Sequence, residues 1–308
     1  MRIQTSFRTI DGTKASTGTL YIVGTPIGNL EDMSYRAIRT LREVDLIAAE
    51  DTRQTRKLLT HFEIAARVVS YHEHNKAASG PELIRLLEEG QSIALVSDAG
   101  LPGISDPGED LVRDAAERDI PVVPIPGPNA ALSALVVSGL STEQFLFAGF
   151  PPRERKGLTR WLEKLSGADA TLLVYESPHR ISKTLQAMLD VWGDRRIALV
   201  RELTKRYEEV ARGSIADALR LLEERPPQGE YCMIVEGAGR NQLTSGGGLS
   251  SEERVWWEKL SESEHVRHYE ALGIDRKESM RKAAGDRGVS RRDIYQACLA
   301  GDDPEGEA

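Results

Sequence analysis

The sequence predicts an α/β protein with two α/β domains and a small helical extension at its C-terminus. Three observations carry this. Over residues 20–125, short apolar runs alternate with amphipathic stretches of helical spacing, the pattern of a mostly parallel sheet covered by helices. A proline-rich junction, PIPGPN at 124–129, is followed by a second alternating series. A Gly/Ser-rich stretch at 237–250, containing SGGG at 245–248, has the composition of a flexible linker and precedes a charged helical piece. The predicted divisions are a disordered tail at 1–18, α/β domains at 19–127 and 128–237, a linker at 238–250 and the extension at 251–308.

LYIV at 20–23 reads as the first strand, and 34–43 as a helix with Ala37, Ile38 and Leu41 on one face. A strand at 45–49 ends in EDTR and leads into a basic helix at 54–61. A third strand at 68–71, a helix at 81–89 and the buried-strand run IALV at 93–96 follow. A long loop, a helix over about 106–118 and a strand at 122–125 complete the first domain. The second opens on a small-residue helix at 130–137 and has strands at 145–150, 171–175, 197–201, 208–212 and 231–235. Helices at about 156–165, 178–191 and 215–223 separate most of them. The closeness of the runs at 197–201 and 208–212 predicts an antiparallel pair, hence a mixed sheet. In the extension, short helices at 276–285 and 293–299 join through Gly288, with a Ser290–Asp293 capping box.

A net charge of −8 argues against general affinity for polyanions, so a nucleic-acid partner would have to meet a local basic surface. One such stretch spans 275–293, with seven Lys/Arg against four Asp/Glu. It has the look of a helix-turn-helix, and equally of a solvated charged bundle. Cys232 and Cys298 stand far apart without metal-ligand spacing, which fits a reducing, cytoplasmic setting. No apolar stretch reaches membrane-spanning length, and the N-terminus lacks the apolar middle of a signal peptide.

The loop SDAGLPGISDPG at 97–108 is the most informative segment. In open α/β sheets ligands bind at the carboxyl ends of strands, where glycine lets main chain approach closely. Two aspartates there suit a cationic or hydroxyl-rich small molecule, although a surface turn has the same composition. GTPIG at 24–28 is not a dinucleotide fingerprint, and no phosphate loop, zinc motif or hydrolase elbow occurs. His72 and His74 flanking Glu73 make a weak metal signal, and no metal is expected. Charged clusters end three strands: EDTR at 50–53, YESPHR at 175–180 and RELTK at 201–205. Each has an ordinary reading as helix capping and surface ion pairs. Their recurrence in both domains favours a shared cleft, and acid, base and guanidinium together suit a phosphate-bearing substrate and removal of a hydroxyl proton.

Taken in order, these segments resemble the ribosomal RNA small-subunit methyltransferase I family, of the tetrapyrrole-methylase fold (class III S-adenosylmethionine methyltransferases). The resemblance rests on LYIVGTPIGNL at 20–30, EDTR, the 97–108 loop, PGPNA at 126–130, YESPHR and RELTK. Glu208, Glu209, Arg212, Gly213 and the Gly229–Glu230 pair extend it. Asn129 departs from the Ser that many members carry.

This resemblance implies two α/β domains of the tetrapyrrole-methylase type with a cofactor cleft between them. It also implies a cytoplasmic homodimer that uses S-adenosylmethionine to methylate the ribose 2′-hydroxyl of a cytidine. The target would lie in the decoding region of 16S ribosomal RNA, within the small subunit, with neither membrane nor DNA as partner. Pro26, Asp98, Gly100, Gly103, Ile104, Ser105, Asn129 and Ala130 would bind the cofactor, with Tyr175, Leu203 and Met233 on its adenine side. Glu50, Asp51 and Glu176 are candidate bases; Arg53, Arg180 and Lys205 would hold phosphate or lower the hydroxyl pKa. The competing functions are a tetrapyrrole or other small-molecule methylase of the same fold and a non-catalytic ribosome-assembly factor.

Overall fold

Five short strands, β1 (Leu20–Val23), β2 (Leu46–Ala49), β3 (Val68–Ser70), β4 (Ile93–Val96) and β5 (Val122–Ile125), form an all-parallel sheet in the order β3-β2-β4-β1-β5. The computed structural model describes residues 4, 17–238, 260–287 and 289–301. Helices α1 (Tyr35–Glu43), α2 (Thr52–His61), α3 (Lys76–Glu88) and α4 (Glu109–Glu117) cover both faces of this first sheet. That is why β2 and β4 are buried along their whole length and read as continuous apolar runs. Leu46 and Ala48 face the cluster containing Leu83, Leu87 and Leu111, while Ile47 and Ala49 face Ala37, Leu41 and Leu59. Each fully buried leucine here contributes about 1.5–3 kcal/mol.

Helix α3 starts five residues before the expected position, at Lys76, with Pro81 inside it. The expectation placed proline in the first turn. Instead Asn75 closes a turn by accepting the His72 amide at 2.7 Å, and the chain enters the helix there.

The second lobe holds β6 (Phe145–Gly149), β7 (Thr171–Glu176), β8 (Arg196–Arg201), β9 (Glu209–Ser214) and β10 (Tyr231–Val235), ordered β6-β7-β10-β8-β9. Only β6 and β7 pair in parallel among these; β8 and β9 form the expected antiparallel pair. Helices α6 (Arg155–Leu165), α7 (Ile181–Trp192) and α8 (Ile215–Glu224) cover one face, and α5 (Ala130–Ser138) lies on the other. Residues 178–180 form a turn, not the first turn of α7 as expected.

Gly18, assigned from sequence to the tail, belongs to the first lobe. It is buried, its amide bonds Leu87 O at 2.7 Å, and a Cβ there would lie 1.9 Å from Gln91 O. Gln4 exchanges two hydrogen bonds with the main chain of Val122. Otherwise the expected tail, apart from Thr17, and the expected linker, apart from Ala238, lie outside the described residues.

The chain divides into two compact units, one holding both sheets and the other the C-terminal helices. The second unit contains α9 (Glu262–Ala271), α10 (Arg276–Arg287) and α11 (Arg291–Gly301), packed around Val266, Met280, Ala283, Ile294 and Cys298. Buried His265 sits between Asp286 and Arg287, each at 3.1 Å. Sequence reasoning named two helices there and missed α9, whose start Ser261 and Glu264 cap reciprocally.

Candidate active site between the two lobes

A cavity of about 440 Å³ opens where the carboxyl ends of β2 and β4 in the first lobe face the ends of β7 and β8 and the start of β10 in the second. Because β10 runs antiparallel to both neighbours, Tyr231 and Cys232 join Tyr175, Glu176 and Val200 at the same edge. The first lobe supplies Ile27, Glu50 and the loop from Asp98 to Asp106. That loop is anchored to the segment after β1 by two main-chain bonds between Thr25 and Gly100, at 2.8 and 3.0 Å.

Of the residues expected at the cofactor, Asp98, Gly100, Ile104, Ser105, Asn129, Ala130, Tyr175 and Leu203 line this cavity. Asn129 caps α5 by accepting the Leu132 amide at 2.9 Å, and the Tyr175 hydroxyl accepts the Ala131 amide at 3.0 Å. These bonds fix the start of α5 against β7. Gly103 is not in the wall; it takes φ +84°, and Gly108 packs against its main chain. Pro26 lines a second cavity of about 450 Å³, which shares Ile27, Asp98, Ala99 and Glu230 with the first. Met233 is a correction. Strand alternation buries its side chain completely in the core beneath α6, α7 and α8, and Cys232 turns toward the cavity instead.

The candidate catalytic residues separate into three groups. Glu50 and Glu176 both line the cavity, but differently. Glu50 is partly open and accepts the Asp98 amide at 3.3 Å. The Glu176 side chain is fully buried; it accepts the Ser177 amide at 2.8 Å and the Thr184 hydroxyl at 2.7 Å, with Arg180 at 3.4 Å. Arg180 also donates to Pro151 O and Pro152 O, so this pair ties the 150–152 segment to the end of β7. Asp51 and Arg53 stand outside the first cavity, paired at 2.8 Å at the start of α2. The Arg53 side-chain bond holds the Asp51 carboxyl down at about 2. Lys205 lines the second cavity and is gripped by Glu202 at 3.0 Å and Glu230 at 3.1 Å.

Sequence reasoning counted Asp106 as one of the two aspartates of the 97–108 loop that suit a ligand, but did not name it among the site residues. Burial, reinforced by the neighbouring Glu50 charge, pushes its carboxyl up to about 7. Burial also raises Glu50. Glu50, Asp98 and Asp106 therefore concentrate negative potential on one wall of the cavity. A signal was present: SDPG at 105–108 repeats the polar, turn-forming character of SDAG at 97–100, eight residues earlier. Opposite lie Phe150, Tyr175 and Leu203, an apolar wall. Backbone strain also concentrates here. Ser105, Glu202 and Thr204 are three of the five non-glycine residues with positive φ among the described ones, and such conformations persist only where surrounding contacts hold them.

Residues 19–219 match the family model of the tetrapyrrole (corrin/porphyrin) methylases. The chain is 53% identical to a Halalkalibacterium halodurans protein named ribosomal RNA small subunit methyltransferase I, over 96% of this chain and 98% of that one. Proteins of the same name from Bacillus subtilis and Synechocystis are 50% and 42% identical, each over 92% of this chain and 95% and 98% of theirs. Among solved structures, diphthine synthase superposes with a TM-score of 0.57 at 15% identity, over 71% of this chain and 90% of that one. A uroporphyrin-III C-methyltransferase from Thermus thermophilus gives 0.51 at 20% identity, over 73% and 98%. At those identities the likeness concerns the fold. The chain belongs to the tetrapyrrole (corrin/porphyrin) methylase family, in the group of the ribosomal RNA small subunit methyltransferases I.

Proposed function

We propose that this chain is a cytoplasmic, S-adenosylmethionine-dependent ribosomal RNA methyltransferase. Its target is the ribose 2′-hydroxyl of a cytidine in the decoding region of 16S RNA, within the small subunit. The observation that carries the reading is the 440 Å³ cavity at the joined strand ends, with carboxylates on one wall and aromatic and aliphatic side chains on the other. The relatives' shared name directs it to ribosomal RNA.

The residues present fit the cofactor. Glu50, Asp98 and Asp106 suit a cationic group, and Tyr175, Leu203 and Phe150 suit a flat base. Main chain of the 97–108 loop and the start of α5 suits a carboxylate and sugar hydroxyls. When bound, S-adenosylmethionine supplies a methyl group already activated on a positively charged sulfur. What remains for the protein is to align the acceptor oxygen, exclude water and take one proton. Glu50 is the favoured base, because it faces the cavity with a carboxyl raised toward the working range. Glu176 keeps a structural role, since its oxygens are committed to Ser177, Thr184 and Arg180. Asp51 with Arg53 positions the entrance to α2, and Lys205 with its two glutamates borders the acceptor side.

The enzyme acts as a homodimer. The sequence AALSALVVS of α5 carries no charge, and its outward residues Leu132, Val136 and Val137 are 47%, 74% and 39% exposed. A monomer rarely leaves such a face in water.

The test incubates unmodified small subunits with labelled S-adenosylmethionine and analyses the digested nucleosides by mass spectrometry. A 2′-O-methylcytidine is expected. Label on a base, or none on RNA despite cofactor binding, overturns the reading.

A further inference from the structure

We propose that the second cavity, together with the exposed cationic side of α2, binds the acceptor nucleotide and the phosphates flanking it. This rests on the RNA methyltransferase reading above and adds the recognition surface for its substrate.

The cavity measures about 450 Å³ and shares Ile27, Asp98, Ala99 and Glu230 with the first, so a group held in one abuts a group held in the other. Its wall has the composition that a splayed-out nucleotide needs. Ile27, Leu30 and Leu58 offer apolar surface to a base, and the Gln54 amide offers both a donor and an acceptor to a base edge. Lys57 stands at the same wall and supplies positive charge for phosphate.

The charge pattern of α2 is unlike that of α3 and α4. In α3, Arg85 pairs with Glu82 and Glu89, and in α4 Arg113 pairs with Asp110. Those are ordinary solvated helices with their charges neutralised along the helix. Thr52–His61 contains Arg53, Arg56 and Lys57 and no acidic residue, in a chain of net charge −8. Arg53 is matched by Asp51, but Arg56 and Lys57 have no carboxylate partner among the described residues. Lys57 instead donates to Gln54 Oε1 at 3.1 Å, which orients the amide at the cavity wall. Thr55 and Leu59 anchor the helix inward, leaving Arg56 and Lys57 exposed. Unneutralised cations beside an open, partly apolar cavity fit a polyanion whose bases can be turned out of their stack.

The test compares wild type, the double variant Arg56→Glu/Lys57→Glu, the conservative Lys57→Arg, and Lys164→Glu as a charge-reversal control on exposed α6. Each is measured for binding of labelled S-adenosylmethionine, for affinity to unmodified small subunits across a salt titration, and for steady-state methyl transfer. The double variant is expected to keep cofactor affinity while KM for RNA rises about tenfold or more. The salt dependence of RNA binding should lose about 0.7–0.9 of its log–log slope per removed cation. Lys57→Arg, which keeps the charge, should retain the wild-type salt slope, and Lys164→Glu should behave like wild type. Unchanged RNA affinity and slope in the double variant, with wild type active, overturns this site alone; an equal loss in Lys164→Glu does the same. Wild type that binds S-adenosylmethionine but neither binds nor methylates the small subunit overturns the functional reading, and this site with it.

Discussion

The main-chain N–H of Asp98 donates to Glu50 Oε2 at 3.3 Å, and the Asp98 carboxylate accepts the main-chain N–H of Asp51 at 3.0 Å. The ends of β2 and β4, far apart in sequence, are thus clamped in both directions beside the cavity. Asp98→Ala removes one half of the clamp and orphans the Asp51 amide. S-adenosylmethionine affinity should fall about tenfold, worth ~1.4 kcal/mol. The melting temperature should change little, because Asp98 itself is exposed. Calorimetric titration decides; unchanged affinity would show that Asp98 neither holds the loop nor meets the ligand.

Asp106 gives the site a pH dependence of known sign. Its carboxyl is raised by burial and by Glu50 to about 7, from 3.8. The folded state therefore holds this proton more tightly than the unfolded chain, so its contribution to stability is complete below about pH 4 and is lost as pH rises through about 7. Asp106→Asn mimics the protonated form. It should match wild type near pH 4 and exceed it by about 1 kcal/mol near pH 8, after discounting for partial solvent screening. Binding has the opposite sense, since a cation favours the ionised carboxylate. S-adenosylmethionine should bind wild type more weakly near pH 6 than near pH 8, by up to about tenfold. The uncharged sulfide product should show a flatter profile, and Asp106→Asn should flatten both.

Glu50 and Glu176 border one cavity and should respond oppositely to the same change. Glu176→Gln replaces a buried carboxylate that accepts from Ser177, Thr184 and Arg180. A loss of about 1–3 kcal/mol in stability is expected, with turnover per folded molecule nearly normal. Glu50→Gln should leave denaturant unfolding close to wild type and lower kcat about 10²-fold or more. The reverse assignment follows if Glu176→Gln folds stably and turns over slowly.

The lobes and most elements were legible because their information is local. Buried β2 and β4 are bare apolar runs, and the caps at Ser34, Asn129 and Ser214 are written in adjacent residues. The loop residues of the cavity were legible for the same reason, since glycine, proline and aspartate mark a strand end that approaches a ligand. What escaped depends on contacts between distant segments. Met233 and Cys232 differ only in which sheet face they present, and sequence order alone does not say which face meets the cavity. Glu176 reads as a base until Thr184, eight residues on, is seen to saturate it. Asp106 gains its character from burial beside Glu50, a partner from another strand end.

Gly24 and Gly127 bring the exit of β1 against the junction between the lobes. A Cβ on Gly24 would lie 2.9 Å from Gly127 Cα, and one on Gly127 would lie 3.0 Å from Gly24 Cα. Both obstacles are main chain, so neither can swing aside. Gly127→Ala should cost about 1–3 kcal/mol and displace the start of α5 from the cavity. Thermal unfolding and cofactor affinity should fall together. A drop in stability with intact affinity would mean that the junction does not set the spacing of the cavity walls.

The outward face of α5 gives the last prediction. Its inward residues Ala131, Ala134 and Leu135 pack on the second sheet, while Val136 is 74% exposed beside Leu132 and Val137. Leaving three aliphatic side chains in water forfeits the burial that each would gain, about 1.5–3 kcal/mol for a residue fully covered. In the homodimer proposed above, a second copy of the same face covers them, since a two-fold interface is self-complementary. Val136→Glu then places two carboxylates opposite each other in a desolvated patch, where like charges are costly. Light scattering should report a dimer for wild type and a monomer for Val136→Glu, with far-UV dichroism unchanged because the residue is exposed within each protomer. A Val136→Glu protein that remains dimeric would place the interface on another face.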